Sequence, residues 1–218
     1  EVALDSANNV LLRARELTIQ GQNGTLSQSD RDAIANEIDG LREQLLSIGN
    51  RQNADGEYIF AGTASNAPAY DASGVFQGDA IVRQINIGKG VSVARGHSGA
   101  EVFEGVNGTR NAFNVLADLS QALRNNDQTL VSERFVDVDA ATEQLSSVRT
   151  AIGVRMNWID NQASLNDNFN VDLQRTISDI EDLDIAEAIG RLQLQMVSLQ
   201  AAQQTFVKTL NLSLFNYL

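Results

Sequence analysis

Gly96-His97-Ser98-Gly99-Ala100 is the stretch of this 218-residue chain whose residue types come nearest to covalent chemistry. A serine in a sharp Gly-x-Ser-x-Gly turn can act as a nucleophile when a histidine takes its proton. Here Ala100 replaces the last glycine, and His97, the chain's only histidine, immediately precedes the serine, a poor position for a separately oriented base. A surface loop is the expected role of this segment. His97 also has no second histidine and no cysteine with which to share a metal ion. Asp179, Glu181, Asp182 and Asp184 form an acidic run without the glycine and loop spacing of a calcium site, so they read as solvated, helix-capping charges. Gly88-Lys89-Gly90 lacks the upstream glycine and the following Ser or Thr of a phosphate loop. Asn23-Gly24-Thr25 and Asn107-Gly108-Thr109 match glycosylation sequons, and turn chemistry is enough to explain both. The expectation is a chain with no catalytic residue, no cofactor and no metal.

Composition narrows the partners. A formal charge of −12 argues against nucleic acid and against anionic membrane, since both would repel the chain. The absence of cysteine excludes a disulfide framework and thiolate metal sites, and suits secretion without a disulfide-forming step. No run of ~18 apolar residues is present to span a bilayer. The chain opens at Glu1 without an initiator methionine or a signal-peptide pattern, and is read as a piece of a longer protein.

The elements follow from periodicity. Leu4, Ala7, Leu11, Ala14 and Thr18 share one helical face over residues 1–20, and residues 21–29 form a turn. Ser29 with Asp32 is expected to cap a second helix whose apolar face is Ile34, Ile38, Leu41, Leu45 and Ile48. Beyond Gly56 the period changes: Tyr58-Ile59-Phe60 reads as a short strand, and Ile85-Asn86-Ile87 with Val91-Ser92-Val93 as a hairpin around a three-residue glycine turn. Helix resumes near Thr109 with Phe113, Leu116, Ser120 and Leu123 on one face, then turns at Asn125-Asn126-Asp127. A seam from Val138 through Ala141, Leu145, Val148, Ile152, Met156, Ile159, Ala163, Asn166, Phe169, Leu173 and Ile177 to Ile180 predicts one long helix over about 131–181.

Such a helix would be ~75 Å long, whereas a compact chain of this size has a radius of gyration of ~17 Å. The expected fold is therefore mainly α, an elongated rod-like bundle of coiled-coil-like long helices carrying a small β-rich central insert. The two amino-terminal helices, laid roughly end to end, would cover much of the long helix. The organisation reads as amino-terminal rod helices over 1–55, the insert over 56–108, the long rod helix over 109–184 and a terminal coiled-coil segment over 185–218. Asp184 with Glu187 is a second candidate capping box. After it the apolar pattern restarts as Ile185, Ile189, Leu192, Met196, Leu199, Gln203, Phe206 and Leu210, and no helix of the chain is left to cover it.

Several stretches together resemble a known family. Arg13-Ala14-Arg15-Glu16-Leu17, Asn23-Gly24-Thr25-Leu26-Ser27, Asp30-Arg31 with Glu37-Ile38, and Tyr58-Ile59-Phe60-Ala61-Gly62 resemble the amino-terminal region of bacterial flagellins and related flagellar axial proteins. Residues 149–157 resemble the family's carboxyl-terminal long helix. Gly56 to Gly62, Asn66-Ala67-Pro68, Gly78-Asp79 and the ending Leu212-Ser213-Leu214-Phe215-Asn216-Tyr217-Leu218 are most similar to the hook–filament junction members of that family.

The resemblance implies a secreted structural subunit of the bacterial flagellum, exported by the flagellar type III apparatus. It also implies a ring of copies of this chain between the first hook-associated protein and flagellin, and an export chaperone that holds the carboxyl-terminal helix. The alternative is a short flagellin forming the filament itself; the small insert and the Phe215-Asn216-Tyr217 ending favour the junction. The assembly and chaperone interface is assigned to Leu192, Met196, Leu199, Phe206, Leu210, Leu214, Phe215 and Tyr217, a stripe that joins an inner coiled-coil tube once neighbours are present.

Overall fold

Asn23 reverses the chain between two amphipathic helices: its side-chain Oδ1 accepts from the Thr25 backbone N–H at 3.1 Å and from the Thr25 hydroxyl at 2.8 Å. The computed structural model, which describes residues 1–105, 110–181 and 185–211, places α1 (Val2–Gly21) before this turn and α2 (Gln28–Gly49) after it. Leu4, Ala7, Leu11, Ala14 and Thr18 are all buried on α1, as their spacing predicts. On α2, Ile38, Leu41 and Leu45 are buried, with Ile34 and Ile48 packed partly against the same core. The cap of α2 lies two residues upstream of the expected one. Ser27 Oγ accepts from the Asp30 N–H, and the Asp30 carboxylate accepts from the Ser27 N–H, each at 3.2 Å.

The two helices lie side by side, antiparallel, not end to end. Arg13 Nε donates to Glu37 at 2.7 Å, and Ser6, Asn9 and Val10 share a surface groove with Leu41, Ser47 and Ile48. This packing changes how much of the long helix is covered. That helix, α5 (Gln128–Glu181), starts three residues earlier than expected and runs antiparallel to α1. Arg15 pairs with Asp139, and Arg149 reaches Asp5 at 2.6 Å and Glu1 at 3.3 Å. Val138, Ala141, Leu145 and Val148 are buried and Ile152 packs partly against the core. Met156, Ile159, Phe169, Leu173, Ile177 and Ile180, on the same expected seam, are exposed. The start of α1 lies opposite Arg149, so α1 does not extend along α5 beyond that point.

Two compact units result, Glu1–Ala163 and Ser164–Leu218. In the first, α4 (Ala112–Arg124) packs along α2 and touches α1. Asn111 caps α4 by accepting from the Asn114 N–H at 2.8 Å, and Arg124 ties its last turn to Asp39 at 2.6 Å. Phe113, Leu116, Ser120 and Leu123 are all buried. The resumption expected near Thr109 lies outside the described residues.

Among the described residues regular sheet is confined to one hairpin in the middle of the chain. Strands β1 (Gln84–Gly88) and β2 (Val91–Ala94) pair antiparallel with Ile85 opposite Val93. Gly88 joins the ladder opposite Val91, so the turn shortens to Lys89-Gly90, with Gly90 at φ +76°. Tyr58-Ile59-Phe60 forms no strand, since Tyr58 makes only an isolated bridge to Gln52. Phe60, Tyr70, Phe76, Phe103 and Phe113 instead build a contiguous aromatic cluster with ring centroids 4.6–5.9 Å apart. It clamps the loop-rich segment to α2 and α4.

Carboxylates hold the loops in place of ladders. Asp71 accepts from the Ser73 hydroxyl at 2.6 Å and the Val75 N–H at 3.0 Å; Asp79 accepts from the Thr63 hydroxyl and from the Thr63 N–H at 2.8 Å. These bonds hold both carboxyls below their ordinary range, as Ser27 does for Asp30 and the Asn53 amide for Glu57. A depressed folded pKa gives stability that is complete above the unfolded value and lost as pH falls through the folded one. Glu104, raised by burial, contributes in the opposite sense. With four groups against one, the melting temperature of the first unit is expected to fall on acidification below about pH 4. A melting temperature unchanged between about pH 6 and pH 3 would contradict this account.

Gly62 joins the same network. It sits at φ +72°, and a Cβ there would overlap the Asp79 carboxylate and backbone carbonyl. Gly62→Ala is expected to lower stability by about 2–3 kcal/mol, from the left-handed backbone and the displaced Asp79 together. Thermal or urea unfolding measures it, and a loss within about 0.5 kcal/mol would show that the loop yields freely.

Candidate assembly surface

The second unit contains the end of α5 and α6 (Ile185–Asn211). Asp184, of the expected second capping box, lies outside the described residues. Between Ile185 and Lys208 the only charged side chains of α6 are Glu187, Arg191 and Lys208, and its polar face is rich in glutamine: Gln193, Gln195, Gln200 and Gln204. Glu187 and Arg191 pair at 2.6 Å one turn apart, both well exposed. Such a pair adds only a few tenths of a kcal/mol to a helix.

The apolar side chains of α6 are exposed in the chain. Leu192, Met196, Leu199, Phe206 and Leu210 are 55–65% accessible, and Ile185 and Ile189 extend the stripe toward the start of the helix. At about 100° per residue these positions fall within an arc of roughly 100°, the width of a single helix-packing face. Val207 lies on the same arc and is 55% exposed. Sequence reasoning missed it, although its place four residues after Gln203 was the available signal. Leu194 and Val197 are exposed off the stripe. Leu214, Phe215 and Tyr217 lie outside the described residues. Side chains of this size are worth ~1.5–3 kcal/mol each when buried, so the stripe is a strong site for a partner helix.

The histidine–serine pair belongs to the first unit and is not at the surface. His97 and Ser98 are both buried, which corrects the expected surface loop. The segment is covered because the Gly99 N–H donates to the Phe60 carbonyl at 2.7 Å and Arg155 of α5 donates to the Gly96 carbonyl at 3.3 Å. A Cβ at Gly99 would come within 2.6 Å of the Tyr70 hydroxyl, so glycine is needed for this approach. Ser98 Oγ accepts from the Glu101 N–H at 3.3 Å and caps the short helix α3 (Gly99–Val102). The Glu101 carboxylate stands 2.7 Å from His97 Nδ1. The carboxylate thus stands beside the imidazole without an aligned hydrogen bond, while the serine hydroxyl serves a helix start. Among the described residues no cluster of three or more His, Asp or Glu could hold a metal ion, and no helix is long and apolar enough to cross a membrane.

Comparison with known proteins places these surfaces in context. Residues 1–65 match the bacterial flagellin N-terminal helical region and residues 136–218 the bacterial flagellin C-terminal helical region, together well over half of the chain. Flagellar hook-associated protein 3 of Escherichia coli (strain K12) is 28% identical across 99% of this chain and 75% of that protein. The crystal structure of flagellar hook associated protein-3 from Legionella pneumophila shares the fold, with a TM-score of 0.76 over 84% of this chain and 91% of that one at 18% identity. Bacillus cereus flagellin reaches a TM-score of 0.52 over 74% of this chain and 78% of its own at 23% identity. With both helical regions of the family matched in order and 99% of this chain aligned with hook-associated protein 3, this chain belongs to the flagellin family as a relative of flagellar hook-associated protein 3.

Proposed function

We propose that this chain is the structural subunit that joins the flagellar hook to the flagellin filament. The observation that carries the reading is the exposed apolar stripe of α6, on a chain aligned from end to end with hook-associated protein 3. A helix with this face is marginal alone in water and gains its stability from neighbours. Copies of the chain form a ring, with the first hook-associated protein on one side and flagellin on the other. The stripe from Leu192 to Leu214, with Phe215 and Tyr217, lies between subunits in an inner tube of helices, and residues 185–218 act as the terminal coiled-coil segment. Before assembly the same stripe is held by an export chaperone, and the chain leaves the cell through the flagellar type III apparatus.

Deletion of the gene, with electron microscopy of the cell surface and assay of flagellin in the medium, tests this. Bare hooks with flagellin shed as monomer are the expected result. Absence of flagellin altogether would make the chain a filament subunit, the second reading, against which the difference in fold similarity already weighs. Normal filaments would overturn both.

A further inference from the structure

The start of α1, residues 53–65, the segments that flank the β1–β2 hairpin (81–83 and 95–97) and Ile152 of α5 surround a cavity of about 320 Å³, at the small end of ligand-binding sites. Its walls are largely apolar: Leu4, Ile59, Phe60, Ile81, Val82 and Ile152. Its polar groups gather on one side. Arg83 and Arg95 share a single carboxylate, Glu57, at 3.6 and 3.1 Å, and each guanidinium is about half exposed. Glu57 stays ionised, because the Asn53 amide first, then Arg95 and Arg83, hold its carboxyl below the ordinary range. Two cations against one anion leave a local charge of +1. That charge belongs to the Arg83–Glu57–Arg95 cluster; the Glu1 carboxylate, also in the wall, lies 3.3 Å from Arg149, which reaches Asp5 at 2.6 Å. His97, also in the wall, is buried, and neither of its ring nitrogens has a hydrogen-bond partner among the described residues. A buried polar atom left unsatisfied is unfavourable, so this part of the wall favours a polar neighbour.

We propose that this cavity binds a small aliphatic monocarboxylate, with its carboxylate between Arg83 and Arg95 and its hydrocarbon tail against Leu4, Phe60 and Ile152. A monoanion matches the residual charge, whereas a dianion such as phosphate would overshoot it and meet apolar walls. Two guanidiniums presented side by side suit the bidentate geometry of a carboxylate. The ligand touches α1, the segments that flank the hairpin and α5 together, so occupancy ties these parts into one and raises the melting temperature of the first unit.

Isothermal titration of the chain with hexanoate, beside hexanamide as a neutral molecule of the same shape, tests the proposal. Hexanoate is expected to bind saturably at one site at least about tenfold more tightly than hexanamide, with a parallel rise in melting temperature. Intermolecular NOEs from its methylenes to the methyl groups of Leu4 and Ile152 should locate it. The Arg83→Gln/Arg95→Gln variant should lose the preference for hexanoate. If that variant fails to fold, the comparison of the two ligands on the unaltered chain decides alone. No saturable binding, equal affinity for the two ligands, or NOEs to other residues would overturn it.

Discussion

Leu199→Asp is expected to abolish the proposed assembly and to weaken affinity for the proposed export chaperone by at least about 100-fold, while residues 1–163 melt as before. Leu199 sits near the middle of the α6 stripe, 60% exposed, with Met196 and Phe206 on either side along the same face. In the free chain a carboxylate there remains in water, so folding of the first unit is untouched. Against a partner helix it must be desolvated among apolar groups with no cation provided, a penalty of several kcal/mol. Ser198→Asp is the control, because it adds the same charge one residue away but off the stripe. It should leave binding and motility within about a factor of three of the unaltered chain. Chaperone titration and rescue of motility in the deletion strain are the measurements. Equal losses from both variants would show that α6 senses charge in general, and no loss from Leu199→Asp would remove this stripe from the interface.

The parts of this fold that were legible in the sequence are those decided by periodicity. The buried faces of α1, α2 and α4 contain the apolar residues spaced by three and four, with Ile34 and Ile48 only partly covered and Val10, Leu17, Val115 and Leu119 buried beside them, because one-sided burial of a helix imposes that period whatever lies opposite. What lies opposite was not legible. A six-residue turn between α1 and α2 serves a hairpin as well as an end-to-end pair, and what selects the hairpin is burial of both apolar faces in one core, with Arg13 matched to Glu37 across the pair. That choice uncovers α5 beyond Ile152, where an apolar period persists with no partner from α1. The cap of α2 was ambiguous for a local reason: Ser27 with Asp30 and Ser29 with Asp32 are overlapping capping boxes, and the helix takes the earlier one. The burial of His97 and Ser98 was hidden more deeply. Glycines flanking a polar pair read as a loop, yet here Gly99 is where the backbone comes close to Tyr70 and Phe76. The α6 stripe was visible apart from Val207, because its helix period persists through a helix whose other positions are mostly polar or small, Leu194 and Val197 excepted.

Phe113→Ala should give the largest loss of stability of any single core substitution in the first unit, about 3–5 kcal/mol, with a melting temperature lower by roughly 10 °C. Its ring is fully buried, with centroids 4.6 Å from Tyr70 and 5.3 Å from Phe103. The surrounding chain is shaped around it. A Cβ at Gly49, the last residue of α2, would approach the tip of the ring to 3.2 Å, and one at Gly74 would come within 2.8 Å of its Cβ. Both glycines make room for this side chain, so neither offers a group that could fill the space it leaves. Arg42 also donates to the Phe113 carbonyl at 3.2 Å, which fixes α4 against α2 and limits collapse into the cavity. The loop-rich segment has little other regular structure, so its attachment depends on the cluster more than α1 or α2 does. Limited proteolysis of the variant should therefore cut within 56–105 while the helical core is still protected, and Phe113→Leu should recover most of the loss. A loss of less than about 1 kcal/mol, or cleavage that begins in α1 or α2, would mean that the segment is held by its carboxylate turns and not by the aromatic cluster.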